Sequence, residues 1–241
     1  METLTSRLAT ALWRRRHPGI DMSHPDREIP HIELRARDVP KLALDKARAW
    51  RFRRGVTDVP WITPQAIELL DGLLLPTDEG IEFGSGSSTI WLGRKCARVR
   101  SVDGFRHWYE PLAARVKEAG LGNVTLRLAD ADLLGYESAA HQDAYVGAYP
   151  ELEQESQDWV FIDGEYRDAT FERGLRLLKP GGLLILDNAE SFIPIAGRTG
   201  WVLDEPATPL WADLMREVGG WRSIWTTDGI SDTVIWVKPV D

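Results

Sequence analysis

Residues 80–92 read GIEFGSGSSTIWL, and this stretch decides the fold. Ile81 and Phe83 give it the apolar character of a short buried strand, and the Gly-Ser-Gly that follows allows a tight turn close to a ligand. A serine, Ser87 or Ser88, is well suited to cap the next helix. Because free N–H groups at a helix start bind ligands, the stretch predicts a strand, a ligand-binding turn and a helix.

Two features separate this turn from the usual dinucleotide-binding motif. Thr89 stands where that motif has its third glycine, and an acid, Glu82, lies two residues before the first glycine. A carboxylate at this point would repel a pyrophosphate and attract an amine or another cation. An ordinary tight turn between a strand and a helix is the alternative explanation of the glycines.

Four later apolar segments also end in an acid, and their acids are Asp103, Asp130, Asp163 and Asp187. Asp103 follows the glycine turn by about 20 residues, where nucleotide-binding α/β folds place the carboxylate that binds ribose hydroxyls. In open parallel sheets the ligand crevice lies outside the carboxyl ends of the strands. The acids therefore predict one ligand site at that edge of the sheet.

With these motifs in this order, residues 60–241 resemble the class I S-adenosylmethionine (SAM)-dependent methyltransferases. Residues 82–87, 129–131 and 179–182 match three of their motifs, the last as the turn before the fifth strand. The resemblance implies a doubly wound Rossmann-like α/β sheet, mostly parallel, with an antiparallel strand in a C-terminal hairpin. Residues 221–237 predict that hairpin independently, because two apolar segments flank Asp228-Gly229.

The resemblance also implies where SAM binds. Glu82 would contact the amino-acid end of the cofactor, Asp103 the ribose hydroxyls, and Asp130 with Ala131 the adenine. Trp61 precedes a helix that lies beside the cofactor in related enzymes, and core packing is its alternative role. The residues expected to bind the cofactor are Trp61, Glu82, Gly84, Ser85, Gly86, Ser87, Asp103, Asp130, Ala131 and Asp163.

For the acceptor side, the chain is similar to small-molecule O-methyltransferases of the catechol and macrolide-sugar kinds. Asp163, Asp187 and Asn188 are oxygen donors suited to Mg²⁺, which would lower the pKa of an acceptor hydroxyl. Strand-end caps or hydrogen bonds to the acceptor are the alternative roles of these three residues. The lysine base of the catechol-type enzymes is absent, because Tyr166 stands at its position.

We expect Asp163, Asp187 and His141 to be the catalytic residues. His141 is a candidate general base in an irregular stretch, residues 132–156, and an exposed loop histidine is the alternative. Five of the 11 tryptophans lie between residues 201 and 236. We expect Trp201 or Trp211 to line the acceptor pocket, since flat aromatic walls suit a planar ring or a sugar face.

Composition narrows the class of partner. The net charge is −8, yet the first 60 residues are basic, so the rest of the chain is strongly acidic. An acidic catalytic region argues against a nucleic acid partner. No run approaches the ~18 apolar residues of a membrane span, and a single cysteine, Cys96, fits a buried position in a cytoplasmic protein. Residues 1–59 are interpreted as a helical extension, a lid or a contact between identical subunits.

The predicted function is SAM-dependent methyl transfer to a hydroxyl of a small molecule, such as a secondary metabolite or a sugar-like acceptor. Three alternatives remain open at this point. The acceptor atom could be nitrogen or carbon, because the donor half of the site is shared. A nicotinamide-dependent oxidoreductase uses a similar sheet, although Glu82 and Thr89 speak against it. The third alternative is a cofactor-binding scaffold without catalysis.

Overall fold

The computed structural model describes Leu44, Ala47 and residues 58–194, 203–229 and 231–240. The predicted extension of residues 1–59 lies almost wholly outside the described residues, as does Trp201. Leu44 and Ala47 are helical and exposed. No helix in the described part of the chain is both long enough and apolar enough to cross a membrane.

The described residues form a sheet with helices on both faces. The strands are β1 (Glu79–Phe83), β2 (Arg98–Asp103), β3 (Val124–Leu128), β4 (Gln157–Ile162), β5 (Leu178–Asp187), β6 (Arg222–Thr227) and β7 (Asp232–Val237). The helices are α1 (Pro64–Leu73), α2 (Ser87–Lys95), α3 (Arg106–Glu118), α4 (Ala131–Leu134), α5 (Ala139–Val146), α6 (Arg167–Leu177) and α7 (Pro209–Glu217). Short 3-10 turns lie at Ala189–Ser191 and Val218–Gly220.

The strand order confirms the predicted doubly wound fold. Within the described residues it is β3-β2-β1-β4-β5-β7-β6, and β7 pairs antiparallel with both of its neighbours while the other pairs are parallel. The predicted C-terminal hairpin is therefore present, with β7 inserted between β5 and β6. The order of the strands reverses between β1 and β4, and such a switch point is where open α/β sheets bind ligands.

Side chains alternate along the central strands and so form two cores. Trp159 and Phe161 of β4 pack against α1 and α2 on one face, in a cluster that also holds the buried Cys96. Val160 and Ile162 point to the other face, where they join side chains of α6 and α7. Because both faces are covered, the strands read as continuous apolar runs rather than as alternating ones.

Thr63 and Pro64 are a typical N-cap and first residue of a helix, so the sequence predicts a helix start there, and α1 begins at that point. The Thr63 side chain accepts a hydrogen bond from the Ala66 N–H, and Pro64 fills the first helical position. Helix α2 differs from the prediction, since its N-cap is Gly86 rather than Ser87 or Ser88. The Thr89 hydroxyl accepts from the Gly86 N–H at 2.9 Å and so supplies the missing cap from inside the helix.

Of two further expectations about local structure, one holds in part and one is wrong. Residues 132–156 are irregular only in part, because they include α5 and most of α4, which Ser138 and Asp130 cap. The Lys-Pro-Gly-Gly of residues 179–182 is an irregularity within β5 rather than a turn before it. The pairing shows this directly, since Gln157 pairs with Leu178 and Trp159 with Leu183.

Replacing Gly80 with alanine should destabilise the sheet. A Cβ at Gly80 would lie 2.1 Å from the Trp159 ring, which is fully buried. We expect the free energy of unfolding to fall by about 1–3 kcal/mol, measured by urea denaturation. Gly72→Ala in α1 is the control, because a Cβ there meets nothing within 4 Å. A loss of the same size in both variants would contradict the packing argument.

Candidate functional site

A cavity of about 460 Å³ opens at the switch point between β1 and β4. Its wall includes the glycine turn of residues 84–88, Asp103 at the end of β2, and Asp163 after β4. Trp61 and Trp108 also line it, and both side chains are more than half exposed. The predicted edge of the sheet therefore carries an open cavity with acidic and aromatic walls.

Glycines allow the ends of β1 and β4 to meet beneath this cavity. Gly84 has φ +103°, and a Cβ on it would lie 2.5 Å from the Gly164 nitrogen. A Cβ on Gly164 would lie 2.0 Å from the Tyr145 hydroxyl oxygen. Gly86 differs from both, since a Cβ there would meet only the Ser88 hydroxyl at 3.8 Å. The first two glycines are required by packing, whereas Gly86 leaves space on the ligand side.

Glu82 is buried under the glycine turn and holds it in place. Its Oε2 accepts hydrogen bonds from the hydroxyls of Thr89 at 2.5 Å and Ser101 at 2.7 Å. Because the single hydroxyl proton of Ser101 is used in this way, Ser85 must donate to Ser101 across their 2.8 Å contact. One carboxylate oxygen thus connects β1, β2, the turn and α2.

The environment of Glu82 favours its neutral form. Its side chain is inaccessible to solvent, and burial raises the pKa of the Glu82 carboxyl to about 7, although hydroxyl hydrogen bonds oppose the shift. Its second oxygen, Oε1, has no hydrogen-bond partner among the described residues. Glu82 does not lie on the cavity wall, so its direct effect is on the turn.

Asp103 faces the cavity with both oxygens already oriented. Oδ2 accepts from the Ser85 N–H at 3.2 Å, and Oδ1 accepts from the Phe105 N–H at 2.8 Å. A carboxylate has about four acceptor positions, so two are left for a ligand. Burial raises the pKa of the Asp103 carboxyl to about 6, against the opposing effect of these hydrogen bonds.

Asp130 and Ala131 are buried and do not line the cavity. The Asp130 side chain caps α4 by accepting from the Asp132 N–H, and it is paired with the Arg106 guanidinium. Phe105, which follows the strand end beside Asp103, lies on the cavity wall instead. Its position two residues after the strand acid is the sequence feature that marks it.

The three residues predicted to bind a metal ion, Asp163, Asp187 and Asn188, all contact the Arg167 guanidinium instead. The Arg167 guanidinium donates to Asp163 Oδ1 at 3.1 Å, to Asn188 Oδ1 at 3.4 Å and to the Asp187 backbone oxygen. The Asp187 carboxylate is 2% exposed and accepts from the Thr233 hydroxyl at 2.8 Å. No three His, Cys, Asp or Glu side chains of the described ranges are grouped to hold a metal ion. The residues therefore fit Mg²⁺ poorly.

His141 is fully buried, so the alternative of an exposed loop histidine is wrong. Its Nε2 lies 3.0 Å from the Ala129 carbonyl oxygen, which can only accept, so Nε2 carries the proton. Its Nδ1 lies 2.6 Å from the Tyr166 hydroxyl. The ring does not line the cavity, and both nitrogens are engaged in binding α5 to neighbouring segments.

Trp211 and Trp108 lie in different surroundings. Trp211 is buried in the core, where its ring contacts those of Phe171 and Phe192, and it does not line the cavity. Trp201, the other residue of the acceptor-pocket prediction, lies outside the described residues, so for Trp201 the prediction stands untested. Trp108 of α3 is 56% exposed and borders the cavity.

Comparison with known proteins agrees with this site. The sequence profile of the Methyltransf_24 family, described as a methyltransferase domain, matches residues 81–189, from β1 to the turn after β5. None of the curated proteins matches the chain.

Three solved structures illustrate the likeness in fold. One is a methyltransferase from Geobacter sulfurreducens, with 18% identity, coverage of 99% of this chain and 98% of that chain, and a TM-score of 0.48. A second is a SAM-dependent methyltransferase from Aquifex aeolicus, with 15% identity, coverage of 74% of this chain and 90% of that chain, and a TM-score of 0.45. The third is a putative methyltransferase from Streptococcus mutans in complex with S-adenosylhomocysteine (SAH). It has 12% identity, coverage of 71% of this chain and 94% of that chain, and a TM-score of 0.46.

The fold assignment rests on the strand order of the sheet. The family match covers the strands and turns that build the cavity. It supports a methyltransferase domain.

Replacing Glu82 with glutamine should change how stability depends on pH. A carboxyl whose pKa rises from 4.5 to about 7 on folding stabilises the protein below pH 4.5, and this stabilisation is lost as the pH rises through 7. The variant cannot ionise, so it should gain on the order of 3 kcal/mol relative to wild type between pH 4.5 and 8. Urea denaturation at several pH values measures this. If the difference in free energy of unfolding between the two proteins were the same at every pH, Glu82 would not be the group with the raised pKa.

Proposed function

We propose that this protein transfers the methyl group of SAM to a hydroxyl of a small molecule. The observation that carries the proposal is the cavity at the switch point, whose wall combines the glycine turn with the Asp103 carboxylate. The family match to a methyltransferase domain supports it. The cavity volume suits a ligand of nucleoside size.

The residues of the cavity fit this cofactor. Gly86 leaves the turn open on the ligand side, and Asp103 retains acceptor capacity for two ribose hydroxyls. SAM would supply a methyl group carried on a positively charged sulfur and would leave as SAH, while the acceptor hydroxyl would release its proton to water. Glu82 acts mainly by fixing the turn, and its buried carboxyl would favour an ammonium group nearby.

On the acceptor side, Asp163 is the candidate that meets the substrate. It lies on the cavity wall and is about one quarter exposed, whereas Asp187 and His141 are buried away from the cavity. A carboxylate there can accept the acceptor's hydroxyl hydrogen bond and orient it toward the methyl group. Asp187 and His141 would then act only by holding neighbouring segments.

The acceptor's chemical class rests on charge and shape. The exposed faces of Trp61 and Trp108 at the cavity suit a planar ring or a sugar. The acidic balance beyond the first 60 residues disfavours a nucleic acid acceptor. We retain a cytoplasmic location and assembly through residues 1–59 as parts of the same proposal.

Thermal unfolding with candidate ligands tests the proposal. We expect SAM and SAH to raise the melting temperature by about 5–10 °C at roughly 100 times their dissociation constants, while NAD and NADP leave it unchanged. A shift with NAD alone would overturn the proposed function. Gly86→Ala should abolish most of the rise in melting temperature with SAH, because the added methyl group would occupy space in the cavity. Gly72→Ala is the control and should keep the shift.

SAH binding should depend on the ionisation of Asp103. Its raised pKa of about 6 means that the carboxylate becomes protonated as the pH falls through 6 and then loses acceptor capacity. We expect the wild-type affinity for SAH to be about tenfold weaker at pH 5 than at pH 7, measured by calorimetry.

Variants separate this effect from others. Asp103→Asn should bind SAH roughly ten- to hundredfold more weakly at pH 7, with little pH dependence left. Asp213→Asn changes an exposed carboxylate of α7 and should behave as wild type. A pH dependence that persists in Asp103→Asn would assign the titration to another group.

A further inference from the structure

Arg167, the first residue of α6, is enclosed by the loops after β4 and β5. Its side chain is 9% exposed. Nε donates to the Gly164 carbonyl at 3.0 Å, and Nη2 donates to the carbonyl oxygen and Oδ1 of Asp163 at 2.8 and 3.1 Å. Nη1 donates to the Asp187 carbonyl and, at 3.4 Å, to Asn188 Oδ1. All five N–H donors of the guanidinium therefore have acceptors.

Because these donors are all occupied by the chain, Arg167 is not available to bind an anionic substrate. It acts as a fixed positive charge that ties together two strand ends. The Phe192 ring lies 5.3 Å from the guanidinium carbon and adds a cation–π contact. The Arg167 guanidinium therefore contacts two parts of the loop after β5, the backbone oxygen of Asp187 and the ring of Phe192.

The loops adopt uncommon backbone conformations around this charge. Tyr166, directly before Arg167, has φ 48°, and Asn188 has φ 52°. Non-glycine residues in the left-handed region are retained where surrounding contacts over-determine the conformation. Here the hydrogen bonds of Arg167 to both loops supply such contacts.

A divalent cation at the same place would compete with this arrangement. It would need the oxygens of Asp163 and Asn188 that the guanidinium already contacts at 3.1 and 3.4 Å. It would also lie beside a buried positive charge, and like charges at such distances repel strongly away from bulk water.

We propose that the Arg167 guanidinium takes the place of a divalent metal ion at the ends of β4 and β5, and that it positions Asp163 and Gly164 on the cavity wall. The second half of this inference rests on the proposed function. Arg167 is thus a positioning residue, since it acts on the ligand only through Asp163 and Gly164. The site then needs no divalent cation.

Binding of Mn²⁺, followed by electron paramagnetic resonance, tests the first half without any methyl acceptor. We expect the free Mn²⁺ signal with wild-type protein to match that of buffer into the millimolar range. Mn²⁺ binding that is weakened by Asp163→Asn or by Asp187→Asn would overturn the proposal. Binding that both variants retain lies elsewhere and is compatible with Arg167 as the cation of this site.

Variants of Arg167 test the second half. Arg167→Ala should bind SAH at least about tenfold more weakly by calorimetry, the loss expected for a charge-assisted hydrogen bond to the cavity wall. Millimolar methylguanidinium should restore part of the affinity, whereas NaCl should not. Arg167→Lys keeps the positive charge, so its SAH affinity should lie between those of wild type and Arg167→Ala. It replaces the alanine variant if that variant does not fold.

Arg176→Ala is the matched control, because this arginine lies on the same helix and pairs with Glu172 at the surface. It should bind SAH as wild type does. An unchanged SAH affinity in folded Arg167→Ala or Arg167→Lys would overturn the positioning role. Absence of SAH binding by wild-type protein would instead reject the proposed function, and the Mn²⁺ result would stand by itself.

Discussion

The buried carboxyl of Glu82 is the interaction on which the cavity depends. Its Oε2 receives hydroxyl protons from Thr89 of α2 and Ser101 of β2, and these residues in turn contact Gly86 and Ser85 of the turn. A buried acid is costly unless it is hydrogen-bonded or neutral, and the raised pKa of Glu82 reflects that cost. The cost is tolerated because one side chain orients four segments at the ligand edge of the sheet.

Arg167 plays the corresponding role on the other side of the switch point. Glu82 organises β1, β2 and the glycine turn by accepting hydrogen bonds, while Arg167 organises the loops after β4 and β5 by donating them. Between these two groups, Gly84 and Gly164 bring the backbones of β1 and β4 into contact. Hydrogen bonds to Glu82 and from Arg167 therefore hold the residues of the cavity wall in position without a bound ligand.

The sequence was informative wherever a pattern has a local cause. The apolar runs and their terminal acids predicted the strands, Thr63 and Pro64 predicted the start of α1, and Asp228-Gly229 predicted the hairpin. Local patterns failed where distant residues compete for the same groups. Ser87 was expected as a cap, yet Thr89 caps α2 because Glu82 orients its hydroxyl. His141 was weighed as an exposed loop residue, yet the Tyr166 hydroxyl and the Ala129 carbonyl bury it.

The sequence alone predicted the strands, the glycine turn and the edge of the sheet where the cavity opens, because strand periodicity and glycine geometry are local properties. The doubly wound order of the strands was implied by the resemblance to the class I methyltransferases. Only the tertiary structure decided which strand-end acids face the cavity. Asp103 and Asp163 do, whereas Asp130 caps a helix and Asp187 accepts from Thr233 of the neighbouring strand. The local sequence does not reveal this difference, because some of the donors that engage the acids lie on distant segments, such as Thr233 for Asp187 and Arg106 for Asp130.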